Sequence, residues 1–413
     1  MIKLKFLILF LSFILLFTCK NKNPTETPPS NNRPQMDILW PSLADSPWPM
    51  FHHDPQSTGR SPYVGPRKGK IKWIFTPGGS IYNSIAIGTD STIYFPTCYE
   101  IEGNKSALYA VRPDGSLKWK IWLPLGSETQ PMVIADGSIL VSNGTSIYFI
   151  NPDDGRIMHQ INFGRVNIST YLNIGIDGTL YFTAEEGHLY AVSQQGDILW
   201  NIHTDEHFYS FNFPISPDGS TIYIFTEKDH QSVAYLYAIQ TDNGQIKWKH
   251  HIGERQNTLY SPLVDSDGNV YYGTFHLGDS TGFYTLSSQG SLRWYYPGVV
   301  SNEPTIDYDG KLYFQTGNID QLLISLDYLG DFCWQQEIGP NKTTFICDRE
   351  GAIYAFSTDR VRVSAFDNNG VLLWQINLEG YISRIAAPVI GSDGILYFGT
   401  YQEPGKAGLY AIE

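Results

Sequence analysis

Histidine and acidic side chains occur together at two places in this chain, and imidazole and carboxylate groups are common ligands of transition-metal ions in proteins. The two groups are His52, His53 and Asp54, and His203, Asp205, Glu206 and His207. Neither group has the spacing of a known metal motif. A third candidate, the adjacent pair His250 and His251, would point to opposite faces of a strand and could not share one ion. We therefore predict that the chain has no metal site.

The cysteines do not indicate catalysis either. Cys98, Cys333 and Cys347 fit no metal motif and no disulfide framework. Cys347 takes a strand position that isoleucine fills in other repeats, which predicts a small buried hydrophobic side chain. Cys98 is predicted to lie in a loop with access to solvent, and Cys333 to point to the sheet face opposite its neighbour Trp334. No nucleophile elbow, phosphate loop or zinc signature occurs, so we predict no catalytic residue.

An internal repeat provides the scaffold for these residues. Each copy has a polar turn, an apolar strand with Tyr, a strand close to Leu-Tyr-Ala-Val, a second turn and usually Trp; the clearest copy runs from Asp177 to Trp200. A period of about 40–50 residues with four strand-sized segments is typical of propeller blades. The first turns lie at Asp90-Ser91, Asp136-Gly137, Asp177-Gly178, Asp218-Gly219, Asp267-Gly268, Asp309-Gly310, Glu350-Gly351 and Asp393-Gly394. Eight turns predict eight blades.

The second half of each repeat predicts how the blades pack and how the ring closes. Four residues after the glycine of the second turn stand Trp119, His159, Trp200, Trp248, Trp294, Trp334 and Trp374. Because a buried Trp contributes a large apolar area, one Trp per blade predicts a structural girdle between blades. The chain stops after a third strand at Glu413, whereas residues 71–75 form an unpaired strand with Trp73. This N-terminal strand is predicted to complete blade 8, which removes exposed sheet edges.

The composition agrees with an all-β fold. The chain is 14% aromatic and only 17% charged, and it contains 38 glycines. These values are typical of a turn-rich protein with a large core. The formal net charge of −13 and the absence of a basic stripe exclude nucleic acid as an expected partner.

The N-terminus has the features of an export signal. Lys3 and Lys5 precede an apolar run from Phe6 to Phe17, too short for a comfortable membrane span. Residues 1–18 are predicted to be a signal peptide, with cleavage before Cys19. The segment 19–47 is rich in Asn, Pro, Thr and Ser, which predicts a flexible tether. An alternative interpretation is an ordinary signal-peptide cleavage site at which Cys19 has no special role.

The repeat cadence and one further segment carry a resemblance. Residues 48–61, with Trp48, Asp54, Thr58 and Ser61, precede the first strand and resemble the entry segment of the pyrroloquinoline-quinone-like repeat propellers. This superfamily includes quinoprotein dehydrogenases and the propeller lipoprotein of the outer-membrane β-barrel assembly machinery. The resemblance covers residues 48–413 and implies an eight-bladed β-propeller of four-stranded antiparallel blades, with entry segment 48–70 and closing strand 71–75. The sequence before Cys19 likewise resembles a bacterial lipobox, which implies lipid attachment at Cys19.

The resemblance does not imply that this chain binds a quinone. Quinoprotein alcohol dehydrogenases typically carry a vicinal Cys-Cys pair, calcium-binding carboxylates and Thr-Gly-Lys outer turns, and this chain has no Cys-Cys pair and no such turns. No cofactor is therefore expected. We predict a non-catalytic, lipid-anchored scaffold in the bacterial envelope, on the outer membrane, that binds an envelope protein or a glycan. The alternatives are a glycan-binding or glycan-acting propeller and a quinone-dependent dehydrogenase.

The loops between second and third strands indicate the binding face. They are longest in blades 8, 1, 4 and 5, which predicts two raised lobes flanking a lower trough. The candidate contact residues on these loops are Tyr99, Glu100, His276, Asp279, Tyr401 and Glu403. Neutral variation of tolerant surface loops explains the same lengths equally well.

Overall fold

Eight antiparallel sheets follow one another along the chain, as the repeat predicts. The computed structural model describes residues 33–413 except 82, 102–104, 124–129, 169–170, 185–186, 205–206, 209–211, 228–233, 254–257, 276–280, 318–320, 340–343, 358–361, 379–383, 386 and 402–406. Within these residues the named elements are all β-strands, and no α-helix occurs. No helix long and apolar enough to cross a membrane is found in that part of the chain.

Blades 1 to 4 each run from an inner strand to an outer strand. Blade 1 contains β2 (Ser80–Ile81), β3 (Ala86–Ile87), β4 (Ile93–Cys98), β5 (Ser106–Val111) and β6 (Leu117–Leu123). Blade 2 contains β7 (Met132–Val133), β8 (Ile139–Asn143), β9 (Ser146–Ile150) and β10 (Ile157–Asn162). Blade 3 contains β11 (Asn173–Ile174), β12 (Leu180–Ala184), β13 (His188–Val192) and β14 (Ile198–His203). Blade 4 contains β15 (His207–Phe208), β16 (Thr221–Glu227), β17 (Ala234–Gln240) and β18 (Ile246–Gly253).

Blades 5 to 8 repeat this order, and β1 (Ile71–Phe75) closes the ring. Blade 5 contains β19 (Thr258–Leu259), β20 (Leu263–Val264), β21 (Val270–Phe275), β22 (Gly282–Leu286) and β23 (Leu292–Pro297). Blade 6 contains β24 (Thr305–Ile306), β25 (Leu312–Thr316), β26 (Leu322–Leu326) and β27 (Phe332–Glu337). Blade 7 contains β28 (Ile346–Cys347), β29 (Ile353–Ser357), β30 (Arg362–Phe366) and β31 (Leu372–Asn377). Blade 8 contains β32 (Arg384–Ile385), β33 (Val389–Ile390), β34 (Leu396–Tyr401) and β35 (Leu409–Ile412), with β1 paired antiparallel to β35.

The tryptophan girdle joins each of seven blades to the next element around the ring. Each indole Nε1 donates a hydrogen bond of 2.8–3.2 Å to a backbone carbonyl outside its own blade. The donor and acceptor pairs are Trp73 and Pro113, Trp119 and Pro152, Trp200 and Thr241, Trp248 and Ser288, Trp294 and Tyr328, Trp334 and Asn368, and Trp374 and Pro66. The rings also explain the turn glycines: a Cβ on Gly370 would lie 2.7 Å from the Trp334 ring. Blade 2 carries His159 instead, and Ile161 packs against Gly196 of blade 3.

Residues 48–61, here called the axial segment, run along the inner strands and bond to six blades in chain order. Its carbonyl groups accept hydrogen bonds of 2.8–3.2 Å from inner-strand N–H groups. The pairs, donor first, are Ile87 and Trp48, Val133 and Pro49, Ile215 and Pro55, Val264 and Gln56, Ile306 and Thr58, and Cys347 and Gly59. Asn173 of blade 3 lies 3.5 Å from the Pro55 carbonyl through its Nδ2. The axial segment therefore fills one end of the channel, where the first turns of the blades lie.

The prediction that residues 19–47 form a flexible tether is wrong for residues 33–47. Trp40 is buried, and its Nε1 donates to the Ile174 carbonyl at 2.9 Å. Arg33 pairs with Asp267 at 2.8 Å, and Leu43 forms a β-bridge with Ile134. Composition suggested a flexible chain because residues 20–32 are almost entirely polar or proline, whereas Trp40 and Leu43 in the second half of the segment belong to the hydrophobic core.

We expect Trp40→Ala to lower the free energy of unfolding by about 3–5 kcal/mol, because the substitution leaves a cavity beneath the turns. The neighbouring Leu39 is 85% exposed, whereas Trp40 is 6% exposed. Leu39→Ala should therefore change stability by less than about 0.5 kcal/mol. Urea unfolding of both variants measures the difference, and equal stabilities would show that residues 33–47 do not contribute to the fold.

His52 makes the stability of the axial segment depend on pH. Its ring is buried, stacks on Phe51 with 4.5 Å between centroids, and has Nδ1 3.1 Å from the Ser57 carbonyl. Burial lowers the pKa of His52 from 6.5 to about 4. Between these values the unfolded chain binds a proton that the folded chain does not, so stability falls as the pH falls.

We expect His52→Asn to remove a stability loss on the order of 3 kcal/mol between pH 6.5 and pH 4, which is the pKa difference converted to free energy. Asn suits this position because His52 has a positive φ of 54°. Unfolding curves of both proteins at several pH values, subtracted pairwise, isolate this contribution from other titrating groups. Parallel curves would show that His52 is not buried in the folded state.

Candidate binding surface

The described residues of the predicted binding face meet where blades 8 and 1 adjoin. Tyr99 follows β4 and is 51% exposed, and Tyr401 ends β34. Their rings meet edge to face with 6.5 Å between centroids. Tyr99 and Tyr401, which border the long loops of blades 1 and 8, therefore contact each other across the closure of the ring. His276, Asp279, Glu403 and the predicted lipidation site Cys19 lie outside the described residues.

Glu100 lies inside this face rather than on it. The side chain is only 2% exposed, so it cannot be a direct surface contact. Its carboxylate accepts hydrogen bonds from Lys120 at 2.9 Å, from Tyr109 at 3.2 Å and from Thr97. A Cβ on Gly79 would lie 2.5 Å from the Cys98 carbonyl oxygen and 3.0 Å from Glu100, so glycine permits this close packing.

Lys120 connects the buried carboxylate to the surface. Burial lowers the pKa of Lys120, but hydrogen bonds to Glu100 and Tyr109 outweigh it and raise the pKa above its ordinary value. The ammonium group also lies 4.1 Å from the centroid of Trp122. Lys105 approaches the same ring at 5.6 Å. An ammonium ion over an aromatic face is a favourable contact, so two lysines hold the Trp122 ring in place.

These contacts define a surface that we call the seam surface: Tyr99, Ile101, Lys105, Trp122 and Tyr401. Ile101 is exposed and Trp122 is 40% exposed. The residues are continuous because the Lys105 carbonyl accepts from the N–H of Glu100, between Tyr99 and Ile101, at 3.1 Å. Exposed Tyr and Trp on a rigid support are typical of protein-interaction surfaces.

Ile101, Lys105 and Trp122 were not among the residues predicted from the sequence, although the sequence contains a signal for Trp122. The residue three positions after the girdle position is polar or proline in six other blades. These residues are Asn162, His203, His251, Pro297, Glu337 and Asn377. A second Trp at this solvent-facing position is therefore an exception that marks blade 1.

The inner carboxylates do not fit a metal-bound quinone. Asp265, Asp307 and Asp348 are buried in the turns of blades 5 to 7. Each accepts hydrogen bonds from turn N–H groups and from a tyrosine hydroxyl at 2.7–3.1 Å. Burial raises the pKa of Asp307 to about 6. Their oxygens already have partners, and the axial segment fills the adjoining end of the channel, so this arrangement has no carboxylate set for a cation beneath a quinone.

The described part of the chain also shows where the other candidate metal ligands and the cysteines lie. Among the described residues, no group of three or more His, Cys, Asp and Glu side chains is arranged to hold a metal ion. Cys347 is buried and Cys333 is exposed. The prediction for Cys98 is wrong: it ends β4, is buried, and lies with its Sγ 3.7 Å from the Ser80 carbonyl. The strand extends past the Tyr-Phe-Pro core because β2 pairs with its last two residues.

Comparisons with known proteins agree with this architecture. The sequence model of a family described as outer membrane protein assembly factor BamB matches residues 104–276. No curated protein matches the sequence significantly. The fold is similar to that of BamB from Moraxella catarrhalis, with a TM-score of 0.61, 12% identity, and coverage of 84% of this chain and 100% of that chain.

Two solved dehydrogenases have a similar fold. A europium-containing methanol dehydrogenase gives a TM-score of 0.66 at 13% identity, over 86% of this chain and 89% of that chain. A quinohemoprotein alcohol dehydrogenase from Comamonas testosteroni gives a TM-score of 0.68 at 11% identity, over 88% and 80%. At these identities the likeness shows the fold alone. The chain has the fold of the PQQ-like repeat β-propellers.

We expect Glu100→Gln to lower the free energy of unfolding by about 2 kcal/mol, because a buried acceptor of charged hydrogen bonds loses its charge. Glu350 is a matched control, since it pairs with Arg67 at 2.9 Å but is largely exposed. Glu350→Gln should cost less than about 0.5 kcal/mol. Urea unfolding of both variants near neutral pH measures these changes, and a stable Glu100→Gln protein would contradict a supporting role for Glu100.

Proposed function

We propose that this chain is a non-catalytic, exported and lipid-anchored propeller that serves as a protein-interaction scaffold in the bacterial envelope. The observation that carries the proposal is the seam surface, where Tyr99, Ile101 and Trp122 are exposed while buried Glu100 and partly exposed Lys120 hold the loop. Preorganised aromatic side chains bind with little loss of conformational entropy. The similarity to the family of outer membrane protein assembly factor BamB supports a scaffold in the envelope.

The path of the N-terminus supports an orientation for the proposed anchored protein. The N–H of Arg33 donates to the Asp309 carbonyl at 2.9 Å, on the face formed by the first turns. The seam surface lies on the opposite face, because successive antiparallel strands place the first turns and the long loops at opposite ends. A lipid at Cys19 would be attached fourteen residues before Arg33 in the sequence. The turn face would then lie nearer the membrane, with the seam surface directed away from it.

A glycan partner is the second candidate, because the flat and exposed Trp122 ring suits stacking on a sugar as well as on a protein side chain. The two candidates differ in what the ring contacts. A protein partner would be cross-linked from several positions of the seam surface, whereas a glycan would bind the isolated protein without any other polypeptide. The dehydrogenase alternative has the fold in its favour, but the inner carboxylates argue against it.

A photo-reactive amino acid at Tyr99 should cross-link a specific envelope protein in cells, and Trp122→Ala should reduce that product at least about tenfold. The control position is Leu199, which is 54% exposed on the outer strand of blade 3. Cross-linking from Leu199 should yield no such product. Equal products from both positions would refute the seam surface as the protein site.

The alternatives are tested on the purified protein in the same study. Saturable binding of an envelope glycan that is lost in Trp122→Ala would establish the glycan candidate instead. Mixing with pyrroloquinoline quinone and Ca²⁺ should give neither saturable binding nor dye-linked oxidation of alcohols or sugars. Quinone-dependent turnover would overturn the non-catalytic assignment.

We expect Cys19→Ala to move the protein from the membrane fraction to a soluble exported fraction, because the proposed lipid supplies the membrane affinity. Cell fractionation and the mass of the N-terminal peptide measure this. A matched Cys333→Ala variant, which removes an exposed cysteine of the ring, should leave the distribution unchanged. Wild-type protein that is soluble and without an acyl group would contradict lipidation.

A further inference from the structure

Two histidines face each other across the outer hairpin of blade 3. His188 begins β13 and His203 ends β14, and the two residues are direct partners in the antiparallel register. Directly opposed residues project from the same face of a sheet. The two imidazole rings accordingly lie with 4.6 Å between centroids and 36° between planes.

The surroundings leave one ring nitrogen available. His188 is half-buried, and its Nδ1 has no hydrogen-bond partner in the part of the chain that the structure describes. A buried polar atom without a partner is uncommon, because leaving it unsatisfied costs free energy. The ring of Tyr190 follows on the same face at 5.9 Å from His188, and His203 is exposed, so the pair is open to solvent on one side.

We propose that His188 and His203 form a two-histidine site for a divalent transition-metal ion such as Zn²⁺, Ni²⁺ or Cu²⁺. Neutral imidazole is a preferred ligand of these ions. Rotation of the two rings would be needed to direct one nitrogen of each toward an ion at the usual distance of about 2.0–2.1 Å. Water would occupy the remaining coordination positions.

The other histidine groups lack this arrangement. His250 and His251 are consecutive on β18, where His251 contacts Tyr235 and His250 contacts Tyr272 of blade 5. His53 has its Nδ1 3.3 Å from Asp54. In the sequence His203 stands beside Asp205, Glu206 and His207, but the tertiary structure places His188 of the neighbouring strand opposite it. The site thus needs the hairpin and not a local motif.

The experiment is a titration of the full chain with Zn²⁺ against a chromophoric chelator, followed by electron paramagnetic resonance with Cu²⁺. Wild-type protein should bind an equivalent of Zn²⁺ that His188→Ala and His203→Ala each weaken at least about tenfold. The Cu²⁺ spectrum should show coupling to two nitrogens in the wild type and to fewer in each variant. His159→Ala is the matched control, since His159 lies on the outer strand of blade 2 against Phe149 and has no histidine opposite it.

Zinc affinity that is unchanged in both single variants, or wild-type protein that binds no equivalent, would overturn the proposal. Loss of affinity in His159→Ala to the same extent would also overturn it, because the effect would not then depend on the pair. Circular dichroism checks the fold of each variant. If His188→Ala does not fold, the exposed His203→Ala decides the question alone.

Discussion

The hydrogen bonds between the axial segment and the inner strands are the interaction on which the rest of the ring depends. The inner strand of a blade pairs with another strand on only one side. On its other side, its N–H groups would face a narrow central channel. Buried N–H groups need partners, and carbonyls from Trp48 to Gly59 provide them for six blades in chain order. One short segment therefore positions most of the blades relative to a common axis, and then leads through Pro66 to the strand that closes blade 8.

The tryptophan girdle lies farther from the ring axis than the axial segment does. Each of its indoles contributes both packing and a directional hydrogen bond. Each indole fills the space above a turn glycine and donates to a carbonyl near it, so a Trp side chain sets both the distance and the rotation of the next blade. At the junction of blades 2 and 3 His159 replaces Trp, and the described residues show no such bond there. Ile161 packs on Gly196 at this junction, so the described contact there is apolar.

Three buried carboxylates inside the ring stabilise turns. Asp265, Asp307 and Asp348 each close a turn and bind a tyrosine hydroxyl. Glu100 and Lys120 likewise stabilise local structure, but the loop that they support exposes aromatic residues. This difference is why blade 1 is the best candidate for a binding surface while the turns of blades 5 to 7 are not.

The sequence by itself determined the blade number, the strand order, the closing strand and the girdle, because each follows from short-range patterns repeated eight times. Turn glycines, alternating apolar residues and the spaced tryptophans are local signals, and repetition makes them mutually consistent. The sequence also pointed to the loops around Tyr99 and Tyr401. It did not reveal that Trp40 packs on the turns, since a single aromatic residue outside the repeat belongs to no periodic pattern.

Only the tertiary structure decided which residues share a surface. Glu100 stands in a loop that reads as exposed, yet ion pairing with Lys120 on the outer strand draws it inward. Trp122 and Tyr99 come together because β5 and β6 return the chain to the same end of the blade. His188 and His203 are separated in sequence, and strand register alone brings their rings together. Such juxtapositions depend on pairing between segments, which local patterns do not encode, and this is the physical reason that the fold was predictable while the surface chemistry was not.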